Sequence, residues 1–109
     1  MEIKRGQIYY TDFSTVVGCE QGGRRPALIL QNNSGNIHSP TTIVAPLTSV
    51  MGKNIIPTHV KTKATKYPSL ILLEQIRVID KSRIHDYLGE LDEKTMKEVD
   101  RKIAISLGL

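Results

Sequence analysis

A chain of 109 residues with 39% hydrophobic and 24% charged side chains has the size and balance of one ordinary folded domain, which excludes intrinsic disorder, fibrous repeats and two separate cores. Apolar stretches such as Leu70 to Leu73 fall far short of the roughly 18 to 20 residues that cross a bilayer, and no apolar run follows Met1, so a cytoplasmic protein without membrane contact is expected. The net charge of +4 is unevenly placed: Gln21 to Leu73 carries Arg24, Arg25, Lys53, Lys61, Lys63 and Lys66 with no Asp or Glu, whereas acids and bases balance between Asp92 and Lys102, so a polyanion, above all nucleic acid, heads the candidate partners.

In chain order, Gly6 precedes Gln7 to Phe13, a run rich in aromatic and β-branched residues that reads as a strand. The segment from Val16 to Pro26 follows as a loop. Pro26 to Gln31 and Thr41 to Leu47 are short apolar runs expected as central strands, joined through Asn32 to Asn36, which carries turn chemistry. Asn54 to Lys61 reads as a further strand whose Pro57, lacking an N–H, belongs at a sheet edge or bulge. Ser69 to Glu74 and Gln75 to Asp80 continue the β pattern, and Arg83 to Leu88 adds a last strand. The period then changes. Met96, Val99, Ile103 and Leu107 recur at helical spacing, with Asp92 placed to cap the amino end and Gly108 the carboxyl end. The helix must bury its stripe against the sheet, so the fold class is mainly β (α+β): a small curled barrel of strongly twisted antiparallel strands with a C-terminal α-helix, one domain over residues 1–109.

Three segments carry candidate chemistry. The loop from Val16 to Pro26 holds Gly18, Gly22 and Gly23, which let backbone approach a ligand, and Arg24 and Arg25 at its exit. Pro26 biases Arg25 toward extended geometry, which holds its guanidinium fork ready for phosphate oxygens. The same spacing also suits a long hairpin loop whose glycines merely turn the chain. Thr48 and Ser49 present two hydroxyls at the end of a strand, or else a turn-forming pair. Glu74-Gln75-Ile76-Arg77 is a polar break in an apolar run, or else an edge salt bridge. His38, His59 and His85 lack the spacing of metal ligands and read as structural or solvated. Cys19 stands alone, which leaves no internal disulfide and no zinc site of the usual Cys/His spacing, so neither metal nor cofactor is expected.

These residues carry a resemblance. Lys4-Arg5-Gly6, the block Gly18-x-Glu20-Gln21-Gly22-Gly23-x-Arg25-Pro26-x-Leu28-Ile29-Leu30-Gln31-Asn32, Leu47-Thr48, Pro57-Thr58-His59-Val60, Leu72-Leu73-Glu74-Gln75-Ile76-Arg77 and Ile105-Ser106-Leu107-Gly108-Leu109 together resemble the MazF/PemK family of endoribonuclease toxins, in the branch found in Gram-positive bacteria. The blocks follow in order nearly end to end. The departure is Lys61 to Ser69, a few residues shorter than usual for that branch, in a loop that borders the RNA groove of the family. The resemblance implies an SH3-like barrel, a homodimer, metal-independent cleavage of single-stranded RNA at a short ACA-containing site such as UACAU, and a small acidic antitoxin of the MazE kind. It assigns Arg25 and Thr48 as the catalytic pair. Glu20, the carboxylate of the glycine-rich loop, is a weaker candidate for general base. The RNA-contacting set expected on this reading is Arg5, Gln21, Gly22, Arg24, Ser49, Lys53, Gln75 and Arg77.

The residues suit that chemistry. RNA supplies its own nucleophile in the 2′-hydroxyl, so an enzyme need only orient it, neutralise charge on the phosphorane and help the 5′-oxygen leave. Two other readings of the barrel are a gyrase poison of the CcdB kind, which lacks a nuclease site, and a non-catalytic RNA binder. The Arg-Pro and Leu-Thr blocks oppose the first, and 5% aromatic content with no Trp offers the second few stacking surfaces.

Overall fold

Strand β1 (Gln7–Asp12) alternates the faces of its side chains, and both faces are covered. A computed structural model of the protein describes residues 2–14, 17–18, 20–50 and 55–109. Ile8 joins Leu28, Ala45, Leu47, Val60, Ile71 and Leu73 in one apolar cluster, while Tyr9 joins Phe13, Ala27, Ile29, Val44 and Ile79 in another. The two-residue period of extended backbone sends neighbouring side chains to opposite faces, so one run of apolar sequence feeds two clusters.

β1 pairs antiparallel with β2 (Arg24–Ile29), Ile8 opposite Leu28 and Asp12 opposite Arg24. Between β2 and the next strand lies α1 (Asn33–His38), where the sequence suggests only a turn. Asn32 acts as its N-cap, its side-chain oxygen accepting from the Gly35 amide at 2.8 Å, so the turn-forming Asn begins a short helix instead. Asn36 is buried under it and fully engaged: its Nδ2 donates to the Gln31 carbonyl at 2.9 Å, and its Oδ1 accepts from Thr42 Oγ1 at 2.8 Å.

The long strand β3 (Thr41–Ser49) serves three partners in turn. Thr41 to Val44 pair with β6 (Arg77–Asp80), Val44 to Pro46 with β2, and Leu47 to Ser49 with β5 (Ser69–Leu72). β5 also pairs with β4 (His59–Thr62), and β7 (Ile84–Glu90) closes on the far side of β1. The strand path is therefore β4-β5-β3-β2-β1-β7, with β6 attached to β3.

The expected barrel is realised as a seven-stranded antiparallel sheet that is not closed. β4 and β7 are its two ends, and no ladder joins them among the described residues. At the gap, Gly89 of β7, with φ +154°, comes so close to the turn after β4 that an added Cβ would lie 2.6 Å from the Ala64 carbonyl oxygen. Strand limits also differ from expectation. Of the strand foreseen over Asn54 to Lys61, Asn54 lies outside the described residues, and pairing starts only at His59, because Pro57 and Thr58 form a turn in which the His59 amide donates to the Ile56 carbonyl at 3.0 Å. Ser69 to Asp80 is broken at Leu73 to Gln75 by a turn closed from the Gln75 amide to the Leu72 carbonyl at 3.0 Å.

Helix α2 (Glu93–Leu107) runs as foreseen, with the Asp92 carboxylate accepting from the Thr95 amide at 2.7 Å and Gly108 in the left-handed region at φ +73°. The Thr95 hydrogen bonds hold the Asp92 carboxyl below its ordinary 3.8. Val99 is fully buried, Met96 and Ile103 partly so, but Leu107 is exposed and does not belong to the packed stripe. The last turn is fixed instead by Ser106 Oγ, which donates to the Leu73 carbonyl at 2.7 Å. No helix among the described residues is long and apolar enough to cross a membrane.

Candidate active site

Arg25 stands at the start of β2, held by Thr11 opposite it in β1 and by its own Nε, which donates to the Gly22 carbonyl at 3.0 Å. The glycine-rich loop thus turns back to fix the guanidinium that follows it. Thr48 stands near the end of β3, opposite Leu70 of β5. The β2–β3 ladder ends with Ala27 opposite Pro46, and Arg25 and Thr48 lie just beyond that end, on β2 and β3. Both residues line one cleft of about 430 Å³.

Arg24, Pro26, Leu47 and Ser49 continue the strand-borne walls of that cleft with Ser69 at the start of β5, and Tyr67 and Pro68 close it from the turn between β4 and β5. Two guanidinium groups and three hydroxyl-bearing strand residues meet there with no carboxylate among the lining residues. Such a surface fits a phosphodiester: planar cationic forks for the oxygens, and hydroxyl donors on rigid strands. A larger cavity of about 830 Å³ lies in the gap between β4 and β7. Its charged groups are of both signs, Lys61 and Lys63 against Glu90 and Asp92, and Asp92 is committed to capping α2. Size alone does not make it the site.

A second polar cleft of about 440 Å³ lies beside the first and is lined by Glu20, Gln21, Glu74, Gln75 and Arg77. The Gln21 amide donates to Gln75 Oε1 at 2.8 Å, and the Arg77 guanidinium sits 5.2 Å above the centre of the Phe13 ring. Behind it, His59 is buried. Its Nδ1 accepts from the Ile56 amide, so the Nε2–H donates to Glu74 at 2.9 Å, and Thr58 Oγ1 donates to the other oxygen of that carboxylate at 3.0 Å.

Residues 4–107 match the family described as PemK-like, MazF-like toxin of type II toxin-antitoxin system. The chain belongs to this family. It is 50% identical over its whole length to the endoribonuclease EndoA of Bacillus subtilis (strain 168), covering 97% of that protein. It is 51% identical over 98% of its length to the endoribonuclease MazF of Staphylococcus saprophyticus, covering 92% of it. Among solved structures, MazF of Deinococcus radiodurans superposes with a TM-score of 0.86 at 28% identity, covering all of this chain and 99% of that one. An endoribonuclease of a mycobacterial species, solved in complex with its cognate antitoxin, gives 0.82 at 29% identity over 98% and 96% of the two chains.

Within this PemK/MazF-like toxin the sequence-derived site residues fall into three groups. Arg24, Arg25, Thr48 and Ser49 gather in the first cleft, with the Gly22 carbonyl bracing Arg25. Glu20, Gln21, Gln75 and Arg77 gather in the second, where the Glu20 carboxylate accepts from the Val17 amide at 2.6 Å inside its own loop and does not reach the Arg25–Thr48 cleft. Arg5 is in neither: its Nε donates to the Leu30 carbonyl at 2.8 Å and its Nη2 pairs with Asp100 at 2.6 Å, tying the segment before β1 to α2. Lys53 and Cys19 lie outside the described residues. Sequence reading missed Tyr67, Pro68 and Ser69. They lie within the shortened segment Lys61 to Ser69, which the resemblance set at the border of the RNA groove without singling out a residue, and their place over the cleft is set by the β3–β5 pairing.

Proposed function

We propose that this toxin cleaves single-stranded RNA in the Arg25–Thr48 cleft, without metal, by in-line attack of the 2′-hydroxyl on the adjacent phosphorus. The endoribonuclease activity itself follows from family membership and from two relatives of that activity at half identity over nearly full length. The single observation supporting this site is that Arg25 and Thr48 line one cleft with no carboxylate among its lining residues. Arg25 neutralises the equatorial oxygens and Thr48 donates to the same phosphate. Each such pre-organised donor contributes on the order of 10²–10³ in rate. The new bond joins the 2′-oxygen to phosphorus while the bond to the 5′-oxygen breaks, leaving a 2′,3′-cyclic phosphate and a 5′-hydroxyl. In net terms the proton of the 2′-hydroxyl ends on the departing 5′-oxygen; Glu20, whose carboxylate lines the adjoining cleft, is the weaker part of the assignment as its acceptor.

The finer assignments rest on the resemblance. Cleavage falls at an ACA-containing sequence, UACAU; the protein acts as a homodimer; and a small MazE-like acidic antitoxin occupies the cationic groove. The solved relatives that pair a toxin with an antitoxin favour that partner. The gyrase-poison reading finds no support in a family whose relatives are endoribonucleases.

The deciding experiment incubates pure protein with end-labelled single-stranded RNA containing UACAU in EDTA. Cleavage with cyclic-phosphate ends by the wild type, lost in Arg25→Ala and in Thr48→Ala with circular dichroism unchanged, supports the reading. Retention of RNA without cleavage favours the binder, and wild-type rates in Arg25→Ala sink the site assignment.

A further inference from the structure

We propose that Tyr67 is a stacking platform for the nucleobase next to the phosphate held by Arg25 and Thr48, an inference that rests on the RNA-cleaving reading of this cleft. Tyr67 shares the cleft with both residues, yet it is 74% exposed. The other strongly exposed tyrosine, Tyr87, spends its ring on an edge contact with Tyr9 at 5.6 Å. Among the described residues Tyr67 has no such aromatic or cationic partner. An aromatic face left in water at the rim of a cationic, hydroxyl-lined cleft matches the way single strands are bound, with phosphates on cations and bases on rings.

The ring is also presented by fixed backbone. Before it, Lys66 takes φ +74°, a conformation unfavourable to a side chain bearing a Cβ, in a turn closed by its amide on the Lys63 carbonyl at 2.9 Å. The same turn is anchored to β4 by the Ala64 amide, which donates to Thr62 Oγ1 at 3.1 Å. After it, Pro68 restricts Tyr67 to extended geometry, and Ser69 Oγ donates to the Tyr67 carbonyl at 3.1 Å. A loop that only had to connect β4 to β5 needs none of these restraints at an exposed ring. Because every base has a π-face, the contact contributes affinity with little sequence preference, and selectivity falls to the polar groups of the neighbouring cleft.

The test uses an RNA whose 2′-hydroxyl at the scissile position is replaced by hydrogen, so that binding is read apart from cleavage. Tyr67→Ala should raise the Kd for this RNA, and the KM for the cleavable one, by about tenfold, with kcat changed by less than about twofold. Tyr67→Phe should behave as wild type. An abasic nucleotide beside the scissile phosphate should weaken wild type by the same factor and add nothing in Tyr67→Ala.

Several results would overturn the proposal: unchanged Kd and KM in Tyr67→Ala, a Tyr67→Phe variant as weak as Tyr67→Ala, or a loss confined to kcat. Loss of an acidic peptide ligand with RNA binding intact would also overturn it, by making Tyr67 part of a protein interface. If wild type binds the RNA through Tyr67 but does not cut its cleavable form, the nuclease reading of the cleft fails and the stacking contact stands.

Discussion

The backbone amide of Gln21 is held by the side-chain oxygen of Gln75, so the glycine-rich loop is fastened to the turn between β5 and β6. That turn is braced in its own right, since the neighbouring Glu74 accepts from buried His59 and from Thr58. A line of polar contacts therefore runs from the buried imidazole to the loop that carries Gly22, and Gly22 accepts from Arg25.

Gln75→Ala removes the acceptor and should lower kcat several-fold while changing stability by about 1 kcal/mol, the net value of one ordinary hydrogen bond. Gln75→Glu keeps an acceptor and should retain most activity. Hydrogen exchange at the Gln21 amide checks the cause. Unchanged protection in Gln75→Ala would disprove the fastening.

Gly89 tests the open edge of the sheet. Its φ of +154° and the Ala64 carbonyl 2.6 Å from an added Cβ both oppose any side chain. Gly89→Ala should destabilise the fold by roughly 1–3 kcal/mol through backbone strain and overpacking. Urea midpoints measure this directly, and an unchanged midpoint would mean that β7 and the turn after β4 do not meet as described.

The helix and the central strands were legible because each reports itself locally. Asp92 and Gly108 cap α2 by chemistry contained in their own side chains and backbone, and Val99 marks the buried stripe. Arg25 was legible as a held guanidinium because Pro26 constrains it. The strand ends were less legible: Pro57 signalled a sheet edge, but the turn that delays β4 to His59 depends on a backbone hydrogen bond that no residue type announces. Asn32 carried a signal that fits either a turn or an N-cap, and only the docking of Asn36 between Gln31 and Thr42 decides for the helix. Arg5 shows the opposite failure. Its charge and position in a shared block suggested an RNA contact, but its guanidinium is spent on Leu30 and Asp100, a pairing ninety-five residues apart that the chain pattern does not foretell.

Acid should weaken α2 at its amino end. The Thr95 hydrogen bonds favour the charged form of Asp92 and hold its pKa below the ordinary 3.8, so the folded state binds this proton less readily than the unfolded chain. The resulting stabilisation is complete above about pH 4 and is lost as pH falls through the lowered folded value. Asp80 adds in the same sense, its carboxyl lowered by hydrogen bonds from Ser82. Asp92→Asn, which keeps a capping oxygen without the titration, should therefore lose less stability than wild type between pH 5 and pH 3. Parallel urea melts across that range decide it, and identical acid slopes would remove Asp92 as a source of the pH dependence.

The acid-free stretch from Gln21 to Leu73 gives the proposed antitoxin a physical means of inhibition. A disordered segment rich in carboxylates can lie on the same guanidinium groups that hold RNA phosphates, so inhibitor and substrate compete for one groove. Arg24 is exposed at the rim of the Arg25–Thr48 cleft. Arg24→Glu should accordingly weaken uncleavable RNA and an acidic antitoxin peptide together. Reversing a charge at a phosphate contact should also flatten the dependence of RNA affinity on salt, by about 0.7 in the log-log slope for each phosphate released. Titrating both ligands into wild type and mutant at several salt concentrations separates shared from private contacts. If Arg24→Glu loses RNA while the peptide binds unchanged, Arg24 is not a shared contact, and simultaneous saturation of wild type by RNA and peptide would defeat the competitive model altogether.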